Sequence, residues 1–155
     1  MKAGCRFGFP TRLTTLNEMM FLLDTNVVSD LMRREPRVEN RVRSITAADR
    51  IAVSTIVRGE LLYGIERLPD GKRKTQLRAE ADDVLGAVPS ESLPDGAADV
   101  YATLKASCER RGAALDENDL WLAATALFFD ATLVTRDRDF QGVAGLRLDD
   151  WSVSP

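Results

Sequence analysis

The chain contains no histidine and only two cysteines. Without histidine it cannot form a Ser-His-Asp or Cys-His triad, use imidazole as a general base, or bind zinc through imidazole. Cys5 and Cys108 have no paired spacing, which indicates ordinary reduced thiols and excludes a zinc knuckle or a disulfide framework. Any catalysis by this chain must therefore come from carboxylates or from a bound ion.

Long apolar runs are also missing. No run approaches the roughly 20 residues of a membrane span, and residues 1–17 lack the apolar block of a signal peptide. The chain has 155 residues, of which 45% are hydrophobic and 29% charged, as in a soluble protein with one core. We therefore expect a single cytoplasmic domain that does not contact a membrane.

Positive charge is scarce as well, because the net charge is −3. A chain of this charge lacks the overall positive field that steers many proteins to nucleic acid, which counts mildly against an RNA substrate. The basic residues are clustered, and each cluster predicts either a local basic patch or a solvated helix face. The clusters are Arg33/Arg34/Arg37/Arg41/Arg43, Lys72/Arg73/Lys74/Arg78 and Arg110/Arg111.

Short apolar runs alternate with helical patterns, which favours an α/β sandwich with a central parallel sheet flanked by helices. The predicted strands are Phe21–Leu23, Ile51–Val53 and Thr132–Val134, with an edge strand at Leu146–Leu148. The predicted helices are Val27–Arg33, Val38–Thr46, Thr55–Arg67, Lys72–Leu85, Ala97–Arg111 and Glu117–Phe129, with Gly112 as a C-terminal cap and Pro89–Pro94 as a loop.

The first residues differ from the rest of the chain. Residues 1–18 have no clear period, which predicts an N-terminal extension with Met19 or Met20 as the natural start; a tail that packs on the domain is the alternative. The domain itself is predicted to span residues 20–153.

Two acids directly follow predicted strands. Asp24 comes after the first strand, and Asp137 comes shortly after Thr132–Val134. Ligands of open parallel sheets collect beyond the carboxyl ends of the strands, so both acids are candidates for a binding site. Taken singly, each also fits a helix cap or a turn.

Two further acids lie on predicted helices. Glu60 falls within or beside an apolar stripe, where an unpaired carboxylate is costly, so it should be paired, protonated or bound to a metal. Asp119 also has apolar neighbours, but Asp116 is suited to cap this helix, and Asp119 would then be the third-position acid of a capping arrangement.

The four acids could meet at one end of the sheet. Four carboxylates repel one another, and they become tolerable when they share a divalent cation. Ligation by oxygen alone favours Mg²⁺ or Mn²⁺ over zinc. Such an ion activates water and stabilises the charge on a leaving oxygen, which is nuclease chemistry that needs no histidine.

Four stretches of the sequence together resemble the PIN-domain family and, within it, the VapC-type toxins of bacterial toxin–antitoxin pairs. They are Phe21-Leu22-Leu23-Asp24-Thr25-Asn26, Ser54-Thr55-Ile56-Val57-Arg58-Gly59-Glu60-Leu61, Asp119-Leu120-Trp121-Leu122-Ala123-Ala124-Thr125-Ala126, and Leu133-Val134-Thr135-Arg136-Asp137-Arg138-Asp139-Phe140. The resemblance runs from about Met20 to Trp151. It implies a PIN-like sandwich, a Mg²⁺ or Mn²⁺ site, RNA cleavage, an antitoxin partner and a homodimer.

The resemblance also suggests a role for each acid. Asp24 and Asp119 match direct metal ligands, and Glu60 and Asp137 match acids that hold a second metal or the water network. Asn26 and Thr135 are predicted to support them, and Asp116 and Asp139 are additional acids near the pocket.

Three other interpretations compete with a nuclease. A phosphatase with an aspartyl nucleophile normally requires Asp-x-Asp, and the third position here is Asn26. A receiver-type signalling domain has no role for an acid on the helix of Glu60. A degenerate PIN domain that binds RNA or a partner without cutting is the third, although all four acids are present.

Overall fold

The structure is a computed structural model that describes residues 18–113 and 115–153. The N-terminal extension predicted for residues 1–18 thus lies outside the described residues, apart from Glu18. Five parallel strands form one sheet: β1 (Met20–Leu23), β2 (Arg50–Ser54), β3 (Ser90–Glu91), β4 (Thr132–Val134) and β5 (Arg147–Asp149). Their order across the sheet is β3-β2-β1-β4-β5.

Within the described residues, six α-helices connect and cover the strands. They are α1 (Thr25–Met32), α2 (Pro36–Ser44), α3 (Thr55–Glu66), α4 (Lys72–Ala87), α5 (Ala97–Arg111) and α6 (Glu117–Phe128). All six occur where the sequence predicts a helix, and the α/β sandwich is confirmed. Helix α5 ends at Gly112, whose φ of 63° is the left-handed conformation that its predicted role as a cap requires.

The prediction of a loop at Pro89–Pro94 is wrong for two residues. Ser90 and Glu91 form β3, which pairs with Val53 and Ser54 of β2. This edge strand carries no apolar residue, so the sequence offers no period-two pattern to detect. A short 3₁₀ helix at Arg138–Gly142 was also not predicted.

The central strands are the interior of the molecule. Leu22 and Leu23 of β1 and Leu133 and Val134 of β4 have no exposed surface. Continuous burial of this kind is expected for parallel strands that are covered by helices on both faces. Within the described part of the chain, no helix is long and apolar enough to cross a membrane.

The pairing of β1 with β4 places two chain segments side by side at the carboxyl edge of the sheet. Leu23 is in register with Val134, and the backbone N–H of Asp24 donates to the carbonyl of Val134 at 3.0 Å. Asp24 therefore emerges from the sheet beside Thr135, the residue that follows β4.

Candidate active site

Asp24 lies between β1 and α1 and is 6% exposed. Its Oδ1 accepts a hydrogen bond from the backbone N–H of Thr25, which makes Asp24 the N-cap of α1. Its Oδ2 accepts two more, from Asn26 Nδ2 and Thr135 Oγ1, both at 2.6 Å. The capping interpretation of Asp24 is thus correct, and the same carboxylate also belongs to a polar cluster at the strand ends.

Burial raises the pKa of the Asp24 carboxyl above its usual value. Hydrogen bonds from Thr135 and Thr25 oppose this effect, and the negative charges of Glu60 and Asp137 add to it. The raised pKa means that the ionised form of Asp24 is disfavoured here, and a nearby cation would favour it.

Asn26 and Thr135 hold the Asp24 carboxylate from two sides. Asn26 Nδ2 also donates to Thr135 Oγ1 at 3.1 Å, and Thr135 Oγ1 accepts from the backbone N–H of Asp137 at 2.9 Å. The amide oxygen of Asn26 is buried and has no hydrogen-bond partner within the described structure. An unpartnered buried oxygen is uncommon and is consistent with an unmet need for a cation or a water molecule.

Glu60 is half-buried on α3, and both of its carboxylate oxygens accept hydrogen bonds. Thr25 Oγ1 donates to Oε2 at 2.7 Å, and Asn118 Nδ2 donates to Oε1 at 2.8 Å. The partner that the sequence requires for Glu60 is therefore a pair of neutral donors. Neither donor was predicted, because each contact joins residues that are far apart in the chain.

Asp116 is the N-cap of α6, since its Oδ1 accepts from the backbone N–H of Asp119 at 2.9 Å. The carboxylate of Asp119 makes no hydrogen bond to any described residue. Asp119 is therefore not the reciprocal acid of a capping box. Of the predicted capping arrangement, only the part in which Asp116 caps the helix is observed.

The environment of Asp119 raises the pKa of its carboxyl from 3.8 to about 7. Burial is the largest cause, followed by the negative charges of Asp116, Asp24, Asp137 and Glu60. The charges of the other three predicted site acids therefore all act on Asp119.

Asp137 and Asp139 lie on the loop after β4 and are both exposed. The Oδ1 of Asp137 accepts from the backbone N–H of Asp139 at 2.9 Å and so caps the 3₁₀ helix. Asp137 lines the same cleft as Asp24, and the side chain of Asp139 does not. Asp139 is thus next to the cleft through its hydrogen bond to Asp137 but does not line it.

One open cleft at the carboxyl edge of the sheet contains five carboxylates: those of Asp24, Glu60, Asp116, Asp119 and Asp137. Its walls also contain Arg33, Arg67 and Arg136. Most members of the predicted basic clusters lie elsewhere, and several are ion-paired, as in Arg41–Asp149, Arg43–Glu39, Lys74–Glu66 and Arg78–Asp82. For those residues the solvated-face interpretation is the better one.

The donor set of the cleft suits a hard divalent cation, because it consists of carboxylate and amide oxygens. Within residues 18–113 and 115–153, no three acidic, histidine or cysteine side chains lie close enough together, as they stand, to hold an ion. Binding would therefore require carboxylates to draw inward. Asp137 is exposed, so a rotamer change there is inexpensive, whereas Glu60 would move only by giving up its hydrogen bonds from Thr25 and Asn118.

Replacing Asp116 by alanine should lower the free energy of unfolding by about 1 kcal/mol, because α6 loses its N-cap. Urea unfolding near pH 5 measures this best, since Asp119 is then mostly protonated and its repulsion by Asp116 is small. Asp116→Asn is the matched control, because asparagine caps equally well without the charge. Equal stability of the alanine and asparagine variants would contradict the capping role.

Comparison with known proteins agrees with this geometry. The family model described as PIN domain matches residues 21–146. Ribonuclease VapC1 of Haemophilus influenzae strain R2866 is 31% identical over 139 residues, which cover 86% of this chain and 99% of that protein. The VapC ribonuclease Y4jK of Sinorhizobium fredii is 35% identical over 132 residues, which cover 82% of this chain and 94% of that protein.

Solved structures give the same result. The chain superposes on VapBC2 from Rickettsia felis, bound to a DNA fragment from its promoter, with a TM-score of 0.78 and 28% identity over 86% of this chain and 99% of that one. VapBC-1 from nontypeable Haemophilus influenzae follows with a TM-score of 0.77 and 27% identity over 87% of this chain and 100% of that one.

Proposed function

The chain belongs to the PIN-domain family and, within it, to the VapC ribonucleases, and we propose that it is the toxin of a toxin–antitoxin pair that hydrolyses RNA with the help of a divalent cation. The observation that carries the proposal is the cleft lined by Asp24, Glu60, Asp119 and Asp137, in which the charges of Glu60 and Asp137 help to raise the pKa of both Asp24 and Asp119. A chain without histidine needs such a cluster, or an ion held by it, to activate water.

Asp24 and Asp119 would hold the ion directly, with Mg²⁺ or Mn²⁺ as the cation. Glu60 and Asp137 would hold a second ion or orient the attacking water. When bound, the cation supplies Lewis acidity and a water of lowered pKa. The buried Asp24 is already oriented by Asn26 and Thr135, so little side-chain order has to be gained there.

Thr25 and Asn118 fix the other side of the cleft by donating to both oxygens of Glu60. Donation from neutral groups keeps this carboxylate in place without cancelling its charge. The cleft is open to solvent, so a single RNA strand can enter from above, and arginines on its walls offset the negative charge that would otherwise repel phosphates.

The proposed partners are RNA, a cognate antitoxin and a second copy of the chain. Several similar structures are VapBC complexes, which supports a small antitoxin protein for this chain as well. An antitoxin segment that presents arginine or lysine would pair with the cleft carboxylates and exclude both metal and RNA. We place the protein in the cytoplasm, where both RNA and a newly made antitoxin are found.

A PIN domain that binds RNA or a partner without cutting is the alternative. In such a domain the acids would have no reason to share one cleft at a cost in electrostatic free energy. A phosphatase or a receiver domain would leave Glu60 and Asp119 without a role.

Purified protein free of antitoxin should cleave a structured RNA in Mg²⁺ or Mn²⁺ and lose this activity in EDTA. Excess Mn²⁺ added after EDTA should restore cleavage, which shows that the chelator did not denature the protein. Undiminished cleavage in EDTA would disprove metal dependence. Binding of RNA without cleavage in either metal would favour the non-catalytic alternative.

A further inference from the structure

Asp30 is a buried acid that the predicted site does not include. It lies on α1 and is 4% exposed, with its carboxylate between two arginines. Its Oδ1 accepts from Arg33 Nη2 at 2.5 Å, and its Oδ2 accepts from Arg136 Nη1 at 2.7 Å. Both oxygens of Asp30 are thus engaged, one by each arginine.

This group of three residues carries one more positive charge than negative. A buried aspartate needs one cation to offset its charge, and a second cation leaves an excess of positive charge at the surface. The side chains of Arg33 and Arg136 are 62% and 44% exposed, whereas that of Asp30 is 6% exposed. The excess charge is therefore presented to solvent.

Arg33 and Arg136 both line the acidic cleft. Arg136 lies between Thr135, which holds Asp24, and Asp137, so its backbone is fixed relative to the acids. A guanidinium has five N–H donors, and one contact with Asp30 leaves others free to bind. Donors of this kind match the oxygens of a phosphate.

We propose that Arg33 and Arg136 bind a backbone phosphate of the RNA beside the acidic cluster, and that Asp30 is the positioning residue that holds both guanidinium groups toward it. This inference rests on the proposed function. It explains how an acidic protein with an acidic cleft retains a polyanion: the positive charge is concentrated at one wall. It also gives the strand a register relative to Asp24 and Asp137.

The test is steady-state cleavage of a labelled RNA in Mn²⁺ by Arg136→Gln and Arg33→Gln. Each variant should raise KM about tenfold with kcat changed less than about twofold, as expected when a contact is lost equally from ground state and transition state. The dependence of log(kcat/KM) on log salt should become shallower by about one, because one phosphate contact is lost.

Arg147→Gln is the matched control. Arg147 is half exposed and paired with an aspartate, Asp130, but it lies at the amino end of β5, at the opposite edge of the sheet. The Arg147→Gln variant removes the same charge far from the cleft. Its KM and salt dependence should therefore stay at the wild-type values. An equal rise in KM for Arg147→Gln and Arg136→Gln would attribute the effect to net charge and overturn the assignment.

Asp30→Asn tests the positioning role. It should raise KM although both arginines remain, and it should have little further effect when added to the Arg33→Gln/Arg136→Gln double variant, because Asp30 acts only through those two arginines. Arg136→Lys keeps the charge and leaves Asp30 in place, so it should recover much of the salt dependence, and it keeps the proposal testable even where Asp30→Asn does not fold. Unchanged KM in Arg33→Gln and Arg136→Gln would sink the inference, whereas a wild type that does not cleave RNA in Mn²⁺ would sink the proposed function instead.

Discussion

Asp24→Asn should reduce RNA cleavage by on the order of a hundredfold or more while the protein stays folded, because a divalent ion supplies several kcal/mol of transition-state stabilisation and each 1.36 kcal/mol is tenfold in rate. Asparagine keeps the shape of the side chain and removes the charge on which the ion depends. Asp119→Asn should have an effect of similar size.

Single-turnover cleavage in Mn²⁺ with antitoxin-free protein measures this loss directly. Asp83→Asn is the control, because Asp83 is exposed on α4, lies outside the cleft and loses the same charge. Circular dichroism of each variant shows that the fold is intact. Full activity in Asp24→Asn would refute the metal-nuclease mechanism. Full activity in Asp119→Asn would show that Asp119 is only an acid in the first turn of α6 and takes no part in cleavage.

The position of the site follows from local sequence signals that the fold preserves. Short apolar runs mark β1 and β4, and the residues after parallel strands must meet at one edge of the sheet. This is why the sequence predicts Asp24 and Asp137 at the same edge, whereas the supporting role of Thr135, which donates to Asp24 at 2.6 Å, is suggested only by the family resemblance. Helix α1 begins at Thr25, two residues before its predicted start at Val27, because Asp24 caps the helix directly after β1 with no linker between them.

The groups that surround the acids depend on long-range packing and leave weaker signals. Glu60 can be recognised from the sequence as an acid in an apolar stripe. The sequence around it does not indicate that Asn118 donates to it from another helix. Asp30 gives the same kind of signal as Glu60, next to Val27 and Leu31 on α1, and could have been identified by the same reasoning. Its second partner, Arg136, is 106 residues away and is revealed by the fold alone.

Divalent metal should stabilise the protein, and more so at higher pH. At a metal concentration a hundredfold above Kd, binding contributes about 2.7 kcal/mol, which for a domain of this size raises Tm by roughly 5–10 °C. The ion binds carboxylates and must displace the proton that Asp119 retains up to a pKa of about 7. The rise in Tm with Mg²⁺ should therefore be larger near pH 8 than near pH 6.

The metal-free protein should show the opposite trend. The raised pKa of Asp119 means that the folded state binds its proton more tightly than the unfolded state does. Stability from this group is therefore greatest below the ordinary value of 3.8 and is lost as pH rises toward about 7. Asp119→Asn removes the titrating group, so in EDTA its Tm near pH 8 should equal or exceed that of the wild type. It should also lose most of the increase in Tm with Mg²⁺.

Thermal melts of wild type, Asp119→Asn and the Asp83→Asn control at both pH values, with and without Mg²⁺, test both trends together. A lower Tm for Asp119→Asn in EDTA at high pH would show that its carboxylate stabilises the fold, and an undiminished response to Mg²⁺ in that variant would remove Asp119 from the ion's ligands.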